Sequence, residues 1–382
     1  MHSMKKMISA VLALTLLLCG CAAKKNSVIY DSAEGEFQTE VSEKQILLAR
    51  SPANKETVTL INDELVRFLD GHTMGKGLAV AEARDEDLAR AKPVELSWRC
   101  DKKNTGYTVI YTTRQDFSDA VKVDTSEPQL TLEDLFVATT YYWQVVTHTD
   151  KEDNYSTVFC FQTADTPRWL TIEGVYNARD LGGYLTEDGR YRIRQGMIYR
   201  GTKFDSITEA GIEKLLNVYG VKTDLDLRDS SDAGWDGKTS PVGDKINYIS
   251  TRGIGYASSL IEMYAEEVKQ ELLAFTDANN YPIYGHSSSG RDRGGTLMFH
   301  LGALLGMSKE QLLADYEMSY MSARSYDKGD TKGHDWMVAF VAAFERLEGE
   351  SYREKAEKFW LSRGITQEQI NTFRSIMLEE IT

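Results

Sequence analysis

The spacing of hydrophobic residues changes several times along the chain and divides it into segments of different character. A mostly apolar run covers 7–18. Apolar residues recur at helical spacing from Val58 to Leu69, and they alternate with polar residues between 93 and 163. From about 168 onward, short strand-like runs alternate with longer helical patterns. These periods predict an N-terminal targeting segment, one helix, an all-β module and an α/β domain.

The first segment has the composition of an export signal. Lys5 and Lys6 precede the apolar run, which is shorter than the ~20 residues that a membrane-spanning helix needs. The run ends in Leu-Cys-Gly-Cys, which resembles the bacterial lipobox and implies cleavage before Cys21 and diacylation of that cysteine. An ordinary cleaved signal with an incidental cysteine is the alternative. We predict a lipoprotein signal peptide over 1–20 and an extracytoplasmic protein that is lipid-anchored to the bacterial cell membrane.

A polar spacer is predicted over 21–53, where the sequence has only weak periodicity. The next segment, 54–90, is predicted to contain one amphipathic helix and a linker, and Gly71 stands where a helix stop belongs. The apolar stripe of this helix consists of Val58, Ile61, Leu65, Phe68 and Leu69. We expect the stripe to dock against another element and assign it no chemistry.

Four short runs within 91–165 alternate apolar and polar residues and predict the strands of a small β-sandwich. They are Val94-Leu96-Trp98, Tyr107-Val109-Tyr111, Tyr141-Trp143-Val145 and Phe159-Phe161. The position of Trp98 and the pattern Leu-x3-Thr-x-Tyr-x-Trp-x-Val over 135–145 resemble a fibronectin type III domain. Strand parity places Cys100 inside and Cys160 outside, which disfavours a disulfide between them. The module is expected to act as a spacer, and a surface partner stays an open alternative.

From 166 to 382 the pattern predicts an α/β domain with a central, largely parallel sheet flanked by helices. The strand-like runs are Met197–Tyr199, Val221–Leu227, Ile246–Ile249 and Tyr281–Tyr284. Capping-box spacing predicts helix starts at Ser206, Ser308 and Thr366. Ligands of such sheets bind where strands end and helices begin, so we expect the chemistry there.

Charge narrows the range of functions. The 382 residues include 44 Lys and Arg against 58 Asp and Glu, a formal net charge of −14. This acidic excess argues against a general nucleic-acid binder, which needs a basic face to neutralise phosphates. Any anion-binding site must therefore be local.

The run from His286 to Gly295 carries the strongest chemical signal. It reads His-Ser-Ser-Ser-Gly-Arg-Asp-Arg-Gly-Gly, and it follows a predicted strand and precedes an apolar helix. The backbone N–H groups of such a loop and the positive end of the helix form a cradle for an oxyanion. Arg293 adds a planar fork that grips two oxygens of a phosphate or a carboxylate. The several N–H donors of the loop favour phosphate.

The run resembles the signature loop of cysteine-based protein tyrosine phosphatases, His-Cys-x5-Arg-Ser/Thr. It is most similar to a bacterial branch whose loop reads His-Cys-x-x-Gly-Lys-Asp-Arg-Thr-Gly. Three further segments resemble motifs of that branch in the same order, namely Asn177–Gly183 (Asn-Ala-Arg-Asp-Leu-Gly-Gly, for Asn-Phe-Arg-Asp-Leu-Gly-Gly), Tyr199–Gly201 (Tyr-Arg-Gly, for Tyr-Arg-Ser) and Asp226–Arg228 (Asp-Leu-Arg). The resemblance covers about 168–320 and implies a phosphatase-like α/β domain.

The resemblance implies a role for each matching residue. Ser287 takes the position of the nucleophile, Arg293 that of the phosphate clamp, and Asp292 that of the general acid which protonates the leaving group. The residues implied to contact the substrate are His286, Ser288, Ser289, Gly290, Arg291, Gly294, Asp226, Arg228, Arg179 and Asp180. For Asp180 and for the Asp-Leu-Arg pair a purely structural role stays open. Neither a metal nor a cofactor is implied.

Two departures from the family pattern fall on the same chemical step. Ser287 replaces the nucleophilic cysteine, and Gly294 replaces the Ser or Thr that follows the arginine. A helix N-terminus and nearby cations turn a cysteine into a thiolate, whereas a serine hydroxyl stays protonated there and needs an adjacent base. We therefore expect phosphate binding with hydrolysis lost or severely reduced.

Other interpretations stay open. An active phosphatase whose native cysteine was replaced by Ser287, as in an engineered trapping variant, explains the first departure but not Gly294. A phosphatase that uses serine needs a base that the sequence does not identify. A serine esterase is a remote alternative, because Gly-His-Ser-Ser-Ser at 285–289 is one residue short of Gly-x-Ser-x-Gly. For every phosphatase-like interpretation, the expected ligand is a phosphorylated protein, lipid or small molecule.

Overall fold

The computed structural model describes residues 47–83, 87–101, 103–322 and 324–381. The predicted signal peptide, Cys21 and the spacer up to residue 46 lie outside the described residues. Two compact units divide the chain, and their segments interleave. The first unit holds the described residues up to Val58, Pro93–Leu132 and Thr139–Thr163. The second unit holds Thr59–Lys92, Glu133–Ala138 and Ala164–Thr382.

Strands make up the regular structure described in the first unit. They are β1 (Leu47–Ser51), β2 (Glu56–Val58), β3 (Val94–Cys100), β4 (Gly106–Thr112), β5 (Val121–Thr125), β6 (Gln129–Leu132), β7 (Thr140–His148), β8 (Asp153–Tyr155) and β9 (Phe159–Thr163). The four predicted strands are confirmed as parts of β3, β4, β7 and β9. They form because alternating apolar side chains bury one face, as the fully buried Val109 and Trp143 illustrate.

The strands form a three-stranded sheet, in the order β1-β3-β6, and a larger sheet in the order β2-β9-β7-β4-β5 with β8 paired to β7. Aromatic rings from both sheets meet, since the ring centroids of Trp98 and Trp143 are 6.4 Å apart. The predicted spacer, 21–53, extends too far toward the C-terminus. Leu47–Ser51 is a strand, and its buried Leu47 pairs with Cys100.

The predicted orientation of Cys160 is also wrong. Its side chain is buried at 8% exposure, as are those of Phe159 and Phe161 on either side. The second face of β9 is covered by the segment before β2, where the Asn54 side chain accepts a hydrogen bond from the Cys160 amide at 3.0 Å and the Lys55 amide donates to the Cys160 carbonyl at 2.8 Å. Parity alone gives no indication of a strand that is buried on both faces.

The helical stripe after β2 is shorter than predicted. Val58 lies in β2, and the helix α1 covers Asp63–Leu69 because the Asn62 side chain caps it by accepting the Leu65 amide at 2.9 Å. Gly71, with a φ of 58°, follows the helix end as expected. A second helix, α2 (Lys76–Ala83), was not predicted. The other members of the stripe, Ile61, Leu65, Phe68 and Leu69, pack in one cluster with Trp169, Met318 and Met321 of the same unit.

The second unit is built on a five-stranded sheet whose order is β10-β12-β15-β13-β14. The strands are β10 (Arg179–Asp180), β12 (Ile198–Thr202), β13 (Thr223–Asp226), β14 (Asn247–Ser250) and β15 (Ile283–Ser287). β10 is antiparallel to β12, and the other neighbouring pairs are parallel. The prediction of a largely parallel sheet is confirmed. A separate antiparallel pair joins β11 (Tyr191–Ile193) to β16 (Leu378–Glu380).

Helices flank this sheet and fill the C-terminal region. They are α3 (Glu209–Asn217), α4 (Ala265–Leu273), α5 (Asp292–Leu305), α6 (Lys309–Glu317), α7 (Lys332–Glu345), α8 (Tyr352–Ser362) and α9 (Gln367–Met377). The predicted capping boxes at Ser308 and Thr366 are confirmed. The one at Ser206 is wrong: Thr208 caps α3, because a turn from Phe204 to Ile207 delays the helix start. α5 is almost wholly buried and forms the centre of the main apolar core.

Candidate functional site

The residues of the predicted loop form one continuous turn between a strand and a helix. β15 ends at Ser287, which is only 2% exposed, and α5 begins at Asp292. Arg293 lies in the first turn of α5. The free N–H groups of that turn and the positive end of the helix dipole therefore lie beside the loop. This geometry suits an oxyanion.

Side chains from outside the loop hold its carbonyl groups. The Ser289 carbonyl oxygen accepts hydrogen bonds from Asn177 Nδ2 at 3.3 Å and from Ser325 Oγ at 2.7 Å. The Gly290 carbonyl oxygen accepts one from Arg200 Nη2 at 2.7 Å. The C=O and N–H groups that share a peptide bond point in opposite directions. Anchoring the Ser289 carbonyl thus turns the Gly290 amide toward the other side of the loop.

Two glycines of the loop have different steric requirements. Gly290 has a φ of 70°, and a Cβ there would collide with the carbonyl oxygen of Gly201 on β12, so a larger residue does not fit. A Cβ at Gly294 would instead lie 3.8 Å from Ser287 Oγ, which is an ordinary contact. The site therefore has room for a Cβ at the position where the family has Ser or Thr.

A buried cluster of charges supports the loop. Asp315, on α6, binds Arg179 Nε at 2.9 Å through one carboxylate oxygen and Arg200 through the other. Arg179 also donates to Asn177 Oδ1 at 2.6 Å. The two side chains that reach the loop carbonyls from the sheet side, Asn177 and Arg200, are thus fixed by one carboxylate. Asp315 was not among the predicted site residues, because nothing in its local sequence distinguishes it from other helix residues.

The electrostatics of this cluster favour the charged forms. Burial alone would raise the pKa of Asp315, but Arg179 and Arg200 outweigh burial and lower it, so the carboxylate is ionised. Burial, and then the positive charge of Arg179, lower the pKa of Arg200 to about 10, which still leaves the guanidinium protonated at neutral pH.

The structure does not place Arg179 and Asp180 as the predicted substrate contacts. Arg179 is fully buried against Asp315. The Asp180 carboxylate accepts the amides of Gly182 and Gly196 at 2.7 and 2.6 Å and pairs with Arg168 at 2.9 Å. Both charges are used inside the domain. The prediction differed because a motif match carries no information about burial.

His286 lies on β15 directly before Ser287 and is fully buried between two carboxylates of β13. Its Nε2 is 2.9 Å from Asp224, and its Nδ1 is 3.7 Å from Asp226. Burial by itself lowers the pKa of the imidazole, but the two carboxylates outweigh burial and the net pKa is raised. The protonated ring is thereby favoured, and a protonated ring cannot take the proton of Ser287.

Asp226 and Arg228 form a buried, two-pronged ion pair with N···O distances from 2.8 to 3.1 Å. The hydroxyl of Tyr248 also donates to Asp226 at 3.0 Å, and Arg228 Nη1 reaches Asp205 at 2.9 Å. These contacts satisfy the pair from several sides. The structure therefore favours the structural role that the sequence left open for this pair.

Asp292, the predicted general acid, is 35% exposed at the side chain and is held by two donors. It accepts hydrogen bonds from Arg291 Nε at 2.7 Å and from the hydroxyl of Tyr256. Arg291 is buried and extends to Asp330 at 3.3 Å. A fixed, solvent-accessible carboxyl group thus lies on the same helical turn as Arg293.

Tyr256 is a further residue of the site that was not predicted. Its φ of 55° is in the left-handed region, which is rare for a bulky residue. The surroundings hold it there, since its amide donates to Thr296 Oγ1 at 2.7 Å and its carbonyl accepts from Ser259 Oγ at 2.7 Å. Burial, and then the charge of Asp292, raise the pKa of Tyr256, so its hydroxyl stays a donor. A lone tyrosine in a loop has no pattern by which to find it.

Arg293 is bound by a carboxylate that was not among the predicted site residues. Asp232 accepts hydrogen bonds from Nη1 and Nη2 of Arg293 at 2.7 Å each, and from Ser288 Oγ at 2.6 Å. The hydrogen bonds from Arg293 are the main cause that lowers the pKa of Asp232, so this group is ionised. The available signal was the polar run Arg-Asp-Ser-Ser-Asp over 228–232 directly after a strand, where sites of parallel sheets lie.

Glu271, on α4, is a buried carboxyl group close to the loop that packs on Arg293. Its Oε1 accepts the Ile254 amide at 2.9 Å, and Gly253 of the same loop lies against the Cβ of Arg293. Burial raises the pKa of Glu271 to about 8, so the group is largely neutral at pH 7.

The fold and the loop together define a class of protein: an α/β domain with a largely parallel sheet, in which a strand, a tight loop, a helix N-terminus and an arginine form an arrangement suited to an oxyanion. A sequence profile described as "Tyrosine phosphatase family" matches residues 170–379, more than half of the chain. The chain belongs to the tyrosine phosphatase family. The match extends beyond the predicted 168–320 and includes the C-terminal helices.

Individual relatives are distant. A Cupriavidus necator protein named "Putative tyrosine-protein phosphatase" is 25% identical over 176 residues, covering 38% of this chain. The chain spans 61% of the length of that relative. The solved core catalytic domain of a PP-IP phosphatase from S. cerevisiae is 14% identical and matches with a TM-score of 0.26, covering 42% of this chain and 85% of its own.

The described residues show no group of three or more His, Cys, Asp or Glu side chains arranged to hold a metal ion. Within the same residues, every helix is too short or too polar to cross a bilayer.

We expect the Asp315→Asn variant to be markedly less stable, because it leaves Arg179 and Arg200 buried without a counter-charge. The free energy of unfolding should fall by about 3–5 kcal/mol in urea titrations followed by circular dichroism. Glu310→Gln, an exposed acid-to-amide change on the same helix, should stay within about 0.5 kcal/mol of the parent. A loss below about 1 kcal/mol for Asp315→Asn would contradict a supporting role for the cluster.

The raised pKa of Glu271 predicts a specific pH dependence of stability. Between its ordinary value of 4.5 and about 8, the folded protein binds a proton that the unfolded chain has released, so this group lowers stability as pH rises. Glu271→Gln removes that loss. The free energy of unfolding should be measured for both proteins at pH 5 and pH 9. The difference, variant minus parent, should be larger at pH 9 than at pH 5 by on the order of 3 kcal/mol. The exposed Glu266→Gln should show no such gain, and an equally flat result for Glu271→Gln would rule the effect out.

Proposed function

We propose that the second unit binds phosphomonoesters at the loop 286–294 and hydrolyses them very slowly or not at all. The observation that carries the proposal is that Arg293 and a buried Ser287 lie together at the N-terminus of α5. In addition, a side chain outside the loop, Arg200, binds the Gly290 carbonyl. Membership of the tyrosine phosphatase family supports phosphoester binding or hydrolysis. Because Ser287 stands at the position of the family's nucleophilic cysteine, it supports the loss of phosphomonoester hydrolysis.

Three features speak against nucleophilic attack by Ser287. A helix dipole and nearby cations do not ionise a serine hydroxyl as they ionise a thiol. His286, the nearest candidate base in sequence, lies between the carboxylates of Asp224 and Asp226, which favour its protonated, cationic form. Gly294 supplies no hydroxyl over the nucleophile position. The same environment of His286 disfavours the serine esterase alternative, which needs a neutral imidazole.

A form of the chain with cysteine at 287 is the second candidate, favoured by the intact surroundings of the loop. There the sulfur would attack phosphorus, forming an S–P bond as the P–O bond to the leaving group breaks. Asp292 would give its proton to the departing oxygen, and water would then cleave the S–P bond to release phosphate. We assign Arg293 to the equatorial phosphoryl oxygens in both forms.

The proposed ligand is a phosphorylated protein, lipid or small molecule. The loop and Arg293 recognise the phosphoryl group rather than the group that carries it. The residues that we propose around the phosphoryl oxygens are the loop amides from Ser288 to Gly294 and Arg293.

We also propose that Cys21 carries the lipid anchor of an extracytoplasmic protein. The lipobox-like sequence supports this proposal.

The second of these further proposals is that the first unit is a fibronectin III-like spacer. Two sheets whose tryptophans meet support this assignment, with β1 and β2 added from before residue 91. A crystal structure in which these strands form one closed barrel would contradict the fibronectin III-like assignment.

Replacing Ser287 by cysteine should restore turnover, because the site lowers the pKa of a thiol but not that of a hydroxyl. We expect the Ser287→Cys variant of the full chain to hydrolyse p-nitrophenyl phosphate at least about 10²-fold faster than the parent, measured as kcat/KM. Adding Gly294→Thr to Ser287→Cys should raise kcat further, since the space over residue 287 accepts a Cβ.

The control for this experiment is Arg293→Ala in the Ser287→Cys background, which should return activity to background. Arg293-dependent turnover by the parent would mean that serine works here and that hydrolysis is not lost. A Ser287→Cys variant that is folded but inactive, together with absent phosphate binding by the parent, would refute the phosphate site.

Lipidation can be tested in a bacterial expression host by labelling with a radioactive fatty acid. Cys21→Ser should abolish the label and move the protein from the membrane fraction to the soluble one. Cys19→Ser, two residues earlier, should keep both the label and the membrane location. Equal labelling of the two variants would disprove the assignment to Cys21.

A further inference from the structure

Arg293 already holds an anion, and that anion is a side chain of the same protein. Asp232 meets the guanidinium through two parallel N–H···O bonds of 2.7 Å, and the same carboxylate accepts the Ser288 hydroxyl at 2.6 Å. The Arg293 side chain is 22% exposed and that of Asp232 is 10% exposed. The fork of an arginine and a hydroxyl of the loop are also the donors that would grip two oxygens of a phosphoryl group.

We propose that Asp232 is an internal substitute for phosphate, which a phosphorylated ligand must displace to enter the loop, and that Asp232 thereby sets the affinity and selectivity of the site. The competition rests on the proposed function, because only an anion-binding loop gives it a ligand to compete with. A phosphate and a carboxylate cannot occupy the same two N–H groups of Arg293 at once.

The element that moves in this exchange is the segment of Asp232 rather than the arginine. Arg293 leaves the first turn of a buried helix, and its Nη1 also donates to the Leu227 carbonyl at 3.2 Å. Gly253 packs against its stem, since a Cβ there would lie 3.3 Å from Arg293 Cβ. The guanidinium is thus held on its own side of the site.

Asp232 lies on the long connection between β13 and β14. Gly234 and Gly237 on this connection have φ values of 79° and 66°, conformations that only glycine adopts without strain. Lys203 Nζ holds the Ala233 carbonyl at 3.3 Å, and Trp235 Nε1 donates to Ser250 Oγ at 3.2 Å. Displacing Asp232 from Arg293 would therefore change the environment of the nearby indole of Trp235.

The exchange selects ligands by their shape. A competing planar carboxylate can only repeat the contacts that Asp232 makes, so it gains little by replacing it. A tetrahedral phosphoryl group places further oxygens toward the loop amides while two of its oxygens occupy the fork. Asp232 thus makes the site select phosphoryl ligands over carboxylates. It also lowers the affinity for every anion, because each must first replace the ion pair between Asp232 and Arg293.

The test is calorimetric titration of the full chain, with Ser287 retained, against inorganic phosphate and against acetate. Asp232→Asn keeps the shape of the side chain and removes its charge, and should bind phosphate about tenfold tighter or more than the parent. Acetate binding should become detectable in Asp232→Asn. Asp236→Asn removes the same charge from the same connection at a fully exposed position and should bind phosphate like the parent.

Two further measurements complete the design. Phosphate should change the tryptophan fluorescence of the parent, and Trp235→Phe should remove most of that change. If Asp232→Asn fails to fold, as judged by circular dichroism, Asp232→Ala serves in its place with the same expected tightening.

The outcomes separate this proposal from the proposed function. In one outcome, Arg293→Ala abolishes phosphate binding, whereas Asp232→Asn binds phosphate no more tightly than the parent. This result would overturn the role of Asp232 but would support the phosphate site. Phosphate binding that is absent from the parent and from both Asp232 variants would overturn the phosphate site itself. Tighter binding by Asp232→Asn, with Asp236→Asn unchanged, would establish the competition.

Discussion

One buried carboxylate shared by two buried arginines is the interaction on which the loop depends. Asp315 lies 136 positions after Arg179 and 115 after Arg200, so the contact joins the helical region to two strands of the sheet. Through Arg200 and Asn177 it fixes the carbonyl side of the loop. A charge of this kind is costly to bury alone, and it stabilises only when all three members are in place. The orientation of the loop is therefore a property of the whole domain.

Each of the other arginines around the loop is likewise matched with a carboxylate. Arg228 pairs with Asp226, Arg291 with Asp292, and Arg293 with Asp232. This pairing explains how a chain with a net charge of −14 can carry a local cationic site. The three arginine side chains differ in solvent exposure, and Arg293 is the most exposed of the three. Exchange with a dissolved anion is consequently easiest at the residue that belongs to the helix N-terminus.

The sequence predicted most of the sheet and the continuous part of the site, and it failed where contacts are remote. β13 and the start of β15 lie within the strand-like segments 221–227 and 281–284, and the loop from His286 to Gly294 is one continuous segment, so local pattern was enough. Asp232, Tyr256, Glu271 and Asp315 reach the site from four other elements, and their role arises from burial and distance. Burial also explains the incorrect expectations for Arg179 and Cys160, since the type of a residue does not reveal what covers it.

The interleaving of the two units has a consequence for where the chain can be cut. A module that recombination can insert or remove normally has one point where the chain enters and one where it leaves. Here the chain changes unit at Val58, Lys92, Leu132, Ala138 and Thr163. A single pair of cuts therefore cannot excise either unit intact. A truncation that begins at Ala164 therefore keeps every residue of the family match but removes Thr59–Lys92 and Glu133–Ala138 from the second unit, including Ile61, Leu65 and Phe68, which pack with Trp169 and Met318.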